Sequence, residues 1–101
     1  KLAQFYRKGN IVSKDEDIAS YWLKEAALQG DKRAQTQLGL RFAKGKGLTQ
    51  DFALAYIWLK KAAAQGSHLS AFYAEKYKRK ITHEQSMLAY LQVEQELQEK
   101  V

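Results

Sequence analysis

Apolar residues recur at helical spacing along most of this chain, and glycine and capping residues separate the segments. From Asp15 to Gln29 the apolar positions lie three or four residues apart. Ser13 and Glu16 fit a capping box at the start of this segment, and Gly30 stands where a left-handed cap would end a helix. Asp31 then suits the N-cap of a second helix. The pattern predicts two antiparallel helices joined by a tight turn.

The second predicted helix runs from about Lys32 to Lys44, and its apolar stripe consists of Ala34, Leu38 and Phe42. The loop that ends it, residues 45–47, has two glycines in three residues but lacks the lysine and hydroxyl residue of a phosphate-binding loop. We therefore interpret it as a connection between helices.

Three more helices are predicted beyond this loop. The third spans about Asp51 to Gln65, and the fourth ends near Lys80 with a stripe of Leu69, Tyr73 and Tyr77. Thr82 and Gln85 form another capping box, and a last helix runs from His83 to near the C-terminus.

The chain repeats at a spacing of 36 residues, which marks an array of stacked helical units. The recurring pairs are Gly9 and Gly45, Asp15 and Asp51, Ala19 and Ala55, Trp22 and Trp58, Leu23 and Leu59, Lys24 and Lys60, and Gly30 and Gly66. We expect one repeat domain over 1–101, with a truncated repeat at 1–30, a second at 31–66, and a degenerate third repeat or capping helices at 67–101. Because the chain opens inside a repeat, we expect it to be a fragment with further repeats before Lys1.

The third unit departs from the repeat. Gln92 stands where Trp58 does, and Glu96 and Leu97 replace the alanine pair at 62–63. One residue also looks deleted between Gly66 and Leu69. A polar last helix is typical of a cap that shields an array's final apolar face, and we favour this reading over packing against further sequence.

Within each unit the motif resembles the Sel1-like repeat, a relative of the tetratricopeptide repeat, most closely over residues 2–66. Its signature here is a first helix with Leu38-Gly39, a Gly-x-Gly loop at 45–47, and a second helix that ends in Lys61-Ala62-Ala63 and Gln65-Gly66. The resemblance implies an all-α fold, a right-handed α-solenoid of about two and a half repeats. It also implies a protein-binding scaffold without enzymatic activity. Many members of the family are bacterial, and the periplasm or secretion is the favoured location, with the cytoplasm left open.

Composition and charge narrow the chemistry. There is no cysteine, so disulfides, thiolate catalysis and cysteine-bound zinc are excluded. No run approaches the roughly 20 apolar residues of a membrane-spanning helix. The net charge is +6, but residues 1–82 hold 16 Lys/Arg against 7 Asp/Glu, whereas 83–101 hold one lysine against four glutamates. The basic part favours an acidic partner.

The aromatic and small residues of the repeat have structural explanations here, and the histidines do not form a ligand set. We predict that Trp22 and Trp58 fill the core, as do the tyrosines at 6, 73 and 77, and that Gly39 and the alanine pairs let helices approach closely. His68 and His83 lie at different helix starts without metal-ligand spacing. We therefore predict no catalytic residue, cofactor or metal.

The remaining candidate is the surface of the first helix of each pair, which lines the concave side in solenoids of this type. We predict that this face is basic and binds an acidic or amphipathic segment of another protein. Its residues are Arg7, Lys8, Arg33, Gln37, Leu40, Lys44, Phe72, Lys78 and Arg79. An ordinary solvated face is the alternative interpretation. Nucleic-acid binding through the tract at 76–80 and self-association through exposed repeat edges, which would make a homo-oligomer, are the other functions weighed.

Overall fold

The computed structural model describes the backbone of residues 11–99 and the side-chain surroundings of residues 15–99. Its helices are α1 (Ile11–Leu28), α2 (Lys32–Lys44), α3 (Phe52–Ala64), α4 (His68–Lys78) and α5 (His83–Glu99), and this part of the chain holds no strand. Successive helices from α1 to α4 pack on one another, and α5 packs on α3. The all-α prediction is confirmed.

The tight turns between helix pairs follow from the predicted capping residues. Gly30 and Gly66 have φ values of 98° and 103°, which only glycine adopts without strain. Asp31 then accepts a hydrogen bond from the Ala34 amide at 3.1 Å, and Ser67 caps α4 in the same way. These residues stop one helix and start the next within three residues, so the helices become antiparallel neighbours.

The glycine loop between α2 and α3 lies against α1. Gly45 and Gly47 have φ values of 70° and 79°. A Cβ atom at Gly47 would collide with the Glu16 carbonyl oxygen and the Ser20 hydroxyl, so this position requires glycine for space as well as conformation. Ser20 Oγ donates to the Lys46 carbonyl at 3.0 Å and holds the loop on α1.

The core is centred on α3, where every residue from 53 to 59 is buried. Trp58 is only 1% exposed, as predicted. Gly39 on α2 lies so close to α3 that a Cβ there would stand 2.6 Å from Leu59 Cγ and 3.1 Å from the Ala55 carbonyl oxygen. The predicted close approach of these two helices at Gly39 is therefore confirmed.

Gln65 ties the end of α3 back to the preceding turn. Its Nε2 atom donates to the Gly30 carbonyl at 3.0 Å and to Gln35 Oε1 at 2.8 Å. Gln35 is buried, and its own Nε2 donates to the Ala27 carbonyl. The glutamine before the capping glycine thus satisfies a buried polar side chain of the neighbouring helix.

Equivalent positions join successive units through different chemistry. In the first junction Arg41 Nη1 donates to Glu16 Oε1 at 2.7 Å. Thirty-six residues on, Tyr77 and Phe52 occupy the same two positions, and their rings stack at 5.6 Å. One junction therefore uses an ion pair where the next uses stacked aromatic rings.

Two predictions about α1 are wrong. The helix begins at Ile11, so Ser13 lies inside it and cannot be the N-cap of a helix starting near Asp15. Trp22 is 63% exposed and contacts Tyr21 edge to face instead of filling the core. The reason is position: α3 is packed by α2, α4 and α5, whereas α1 has its main described contact with α2 alone. Tyr6 lies outside the described residues.

Candidate functional site

The predicted binding stripe on α2 is largely exposed. Arg33, Gln37 and Lys44 are exposed, and Leu40 is half-buried against the core. Neither Arg33 nor Lys44 forms an ion pair with any residue in 15–99. The helix therefore presents two uncompensated positive charges about three turns apart. Arg7 and Lys8 lie outside the described residues.

The register of α4 differs from the prediction. The N-caps Asp31 and Ser67 are 36 residues apart, so no residue is deleted between the second and third units. The predicted stripe assumed a spacing of 35 and placed Leu69 in the core, but Leu69 is 56% exposed. Ser70, Ala74 and Tyr77 are the buried positions instead, with Tyr73 half-buried.

This register changes the interpretation of Phe72. Thr36 Oγ1 lies 2.7 Å from Ser70 Oγ, so position 36 is on the side of α2 that meets α4. Phe72 is the counterpart of Thr36 and is therefore on the side of α4 that faces away from α2. It is 65% exposed and packs edge to face on Tyr73. Phe72 and Leu69 are the large apolar side chains exposed on α4.

Lys78 and Arg79 do not continue the predicted binding stripe of α2. Arg79 is exposed in the turn after α4. Lys78 is the counterpart of Phe42, a buried core residue of α2, but in the third unit this inward position is exposed and lines a cleft. Because an unpaired lysine is costly to bury, this substitution opposes closure of the last helix pair.

The cleft lies between α3, the end of α4 and α5, and has a volume of about 660 Å³. It exists because α5 packs on α3 and makes at most marginal contact with α4. Ion pairs hold α5 there, with Lys61 Nζ to Glu94 Oε2 at 2.8 Å and Lys24 Nζ to Glu96 Oε2 at 2.6 Å. Gln92, which replaces the tryptophan of the earlier units, is exposed.

The walls of the cleft combine apolar, aromatic and cationic groups. Lys60 Nζ lies 5.6 Å from the centre of the Tyr56 ring, and Lys61 Nζ lies 5.9 Å from that of Tyr90. None of the twelve side chains that line the cleft in the described part of the chain is acidic. The sequence analysis did not predict this cleft, although counting 36 residues from Phe42 shows that Lys78 occupies an inward position of the third unit.

The basic tract at 76–80 does not offer its aromatic ring to a ligand. Tyr77 is buried between Phe52 and Tyr73, and Lys76 Nζ lies 5.9 Å from the centres of the Tyr73 and Tyr77 rings. Base stacking on Tyr77 would require the core to open, which removes the aromatic part of the argument for nucleic-acid binding.

The ion pair at the first junction perturbs the titration of Glu16. The hydrogen bond from Arg41 is the main reason that the pKa of Glu16 is lowered. Burial opposes it, and the positive charges of Arg41 and Lys46 add to the lowering. In residues 11–99 no three His, Cys, Asp or Glu side chains gather as metal ligands. None of the described helices is long and apolar enough to cross a membrane.

The family model of the Sel1 repeat matches residues 1–31 and residues 32–67. The second match covers α2 and α3, from the residue after the Asp31 cap to the Ser67 cap. No curated protein matches the chain.

Proposed function

Since the chain belongs to the Sel1 repeat family, whose members are generally non-catalytic scaffolds for protein interaction, we propose that it binds an acidic or amphipathic segment of a partner protein. The binding surface in this proposal is the exposed face of α2 together with the apolar side chains of the neighbouring α4. We further propose that this happens in the bacterial periplasm or after secretion.

One observation carries the proposal: unpaired cations and large exposed apolar side chains lie on neighbouring helices. Arg33 and Lys44 supply the charge on α2, and Leu69, the counterpart of Arg33, supplies apolar area on α4, with Phe72 beyond it on the side away from α2. Arginine beside exposed apolar side chains is the usual composition of a binding hot spot. Uncompensated positive charge also speeds encounter with an acidic partner and makes the affinity fall with added salt.

The test is affinity capture from a bacterial cell-envelope extract with the wild-type chain and with the double variant Arg33→Glu/Lys44→Glu. We expect a protein that the wild type captures and the variant loses, and we expect salt to weaken its binding. Lys32→Glu/Lys80→Glu is the matched control, because it changes the net charge equally at other exposed positions. Capture that survives Arg33→Glu/Lys44→Glu, or that both double variants lose equally, would show that this face has no specific role.

Self-association is the second candidate function, and exposed aromatic side chains on both the first and the fourth helix favour it. Trp22 on α1 and Phe72 on α4 are each more than half exposed. Contact between two such different surfaces would join chains head to tail. Light scattering over a range of concentrations tests this, and a constant monomer mass at high concentration would rule it out.

A further inference from the structure

We propose that the cleft between α3 and α5 is a second binding site, which takes a short acidic peptide segment of a partner protein and buries one of its aromatic or aliphatic side chains. This site is separate from the α2–α4 face and does not depend on it.

The cleft forms because the third unit lacks two large apolar side chains that fill the interior of the second unit. In the second unit Phe42 and Trp58 are both buried. Their counterparts are the exposed Lys78 and Gln92, so the last helix pair has neither of the large apolar side chains that would fill its interior. Positions where a chain departs from its own structural rule are expected at functional sites. The position that is buried as Phe42 in the second unit is therefore an exposed lysine, Lys78, that lines the cleft.

The charged side chains that line the cleft are of one sign, and two of its three lysines form no ion pair with a described residue. Lys60 and Lys78 are exposed and form no ion pair with any described residue. Lys61 also lines the cleft, but Glu94 neutralises it, and His83 adds an imidazole from the start of α5. With no acidic side chain lining the cleft, its charge is complementary to a carboxylate-bearing ligand.

The size and lining of the cleft fit a peptide segment. The part of α3 that lines it runs from Tyr56 to Ala64, about 12 Å of helix, which matches three or four residues of extended chain. Ile57, Met87 and Tyr90 give it an apolar lining in which Ile57 is buried, and Lys60 and Lys78 add exposed positive charge. A segment with one apolar side chain between acidic residues would satisfy both parts at once.

The experiment selects binders for the full chain from a randomised library of twelve-residue peptides and measures their affinity by fluorescence polarisation. We expect enrichment of peptides with Asp or Glu beside an aromatic or aliphatic residue. Lys60→Glu/Lys78→Glu should weaken them at least about tenfold, and Lys60→Arg/Lys78→Arg should leave them nearly unchanged. Arg33→Glu/Lys44→Glu, with the same change in net charge, should also leave them nearly unchanged.

A second variant tests the volume of the cleft without changing its charge. Ala64 is exposed and lines the cleft, so Ala64→Trp should fill it and weaken the same peptides about tenfold while helicity is retained. Three results would overturn the proposal: no enrichment of acidic peptides, affinity unaffected by Lys60→Glu/Lys78→Glu or by Ala64→Trp, or loss only with Arg33→Glu/Lys44→Glu. If the wild-type chain forms dimers and Lys60→Glu/Lys78→Glu dissociates them, the occupant of the cleft is a second copy of this chain. That result would also overturn the proposal.

Discussion

Because α2 and α3 approach closely at Gly39, we predict that the effect of Gly39→Ala on the free energy of unfolding depends on residue 59. The substitution should destabilise the wild type and stabilise a variant in which Leu59 is replaced by alanine. In the wild type the new Cβ would lie 2.6 Å from Leu59 Cγ, and Leu59 is fully buried and has little room to move. Overpacking of this kind costs about 1–3 kcal/mol. Alanine is favoured over glycine inside a helix by about 1 kcal/mol. The net effect in the wild type is therefore a destabilisation of about 0–2 kcal/mol.

Removal of the opposing side chain should reverse this result. Leu59→Ala alone should cost about 2–5 kcal/mol, because it leaves a cavity in the core. In that background the nearest remaining atom to the new Cβ is the Ala55 carbonyl oxygen at 3.1 Å, and the methyl group fills part of the cavity. Gly39→Ala should then stabilise the chain by about 1 kcal/mol, which gives a coupling energy of about 1–3 kcal/mol.

Urea unfolding of the four proteins in this cycle, followed by circular dichroism, measures the coupling. The exposed position Gln37 on the same helix supplies the control, because the difference between Gln37→Ala and Gln37→Gly reports helix propensity without a contact. If Gly39→Ala stabilises the wild type by that same difference, and if the coupling is near zero, then the two helices do not meet at Gly39 as described.

Three further predictions follow from single contacts and are checked by the same unfolding measurements. Trp58→Ala should cost about 3–5 kcal/mol, whereas Trp22→Ala should cost less than about 1 kcal/mol; equal losses would contradict the difference in burial. Glu16→Gln should destabilise the chain at pH 7, because the pKa of Glu16 is lowered in the fold by Arg41. That difference should fade as the pH falls through the lowered pKa, and a difference that persists or grows in acid would refute it. Gln65→Ala should cost about 1–3 kcal/mol by leaving a buried amide oxygen unpaired, and no loss would show that water replaces the bond.

Local chemistry explains which parts of the fold could be predicted from the sequence. The bounds of α2 match the prediction, Lys32 to Lys44, because the cap at Asp31 and the left-handed Gly45 act within a turn of the helix ends. Thr82 and Gln85 exchange hydrogen bonds at 2.9 and 3.1 Å as a capping box, for the same reason. Capping depends on a few neighbouring residues, so a single sequence contains the information needed.

Tertiary placement explains the errors. The predicted stripe of α4 followed the large apolar residues Leu69 and Tyr73, but the interior side is set by what α4 packs against, and Ser70 and Ala74 face it instead. The cleft was missed because it depends on α5 lying against α3, which no periodicity within α5 indicates. The basic stripe of α2 was accessible to prediction, since the helical period alone decides which side opposes the core.

The α1–α2 junction and the α3–α4 junction respond differently to the solvent, because an ion pair joins the first and stacked aromatic rings join the second. In a linear array each unit is held mainly by its neighbours, so the chemistry of each junction controls how easily that unit comes away. Charged contacts, Arg41 with Glu16 and Lys24 with Glu96, help to hold α1, whereas rings join Phe52 to Tyr77. Salt or acid weakens the first kind of contact and leaves the second nearly intact. Under such conditions α1 and α5, which ion pairs help to hold, lose more stabilisation than α4, so the order in which the described helices unfold depends on solvent composition as well as on position along the chain.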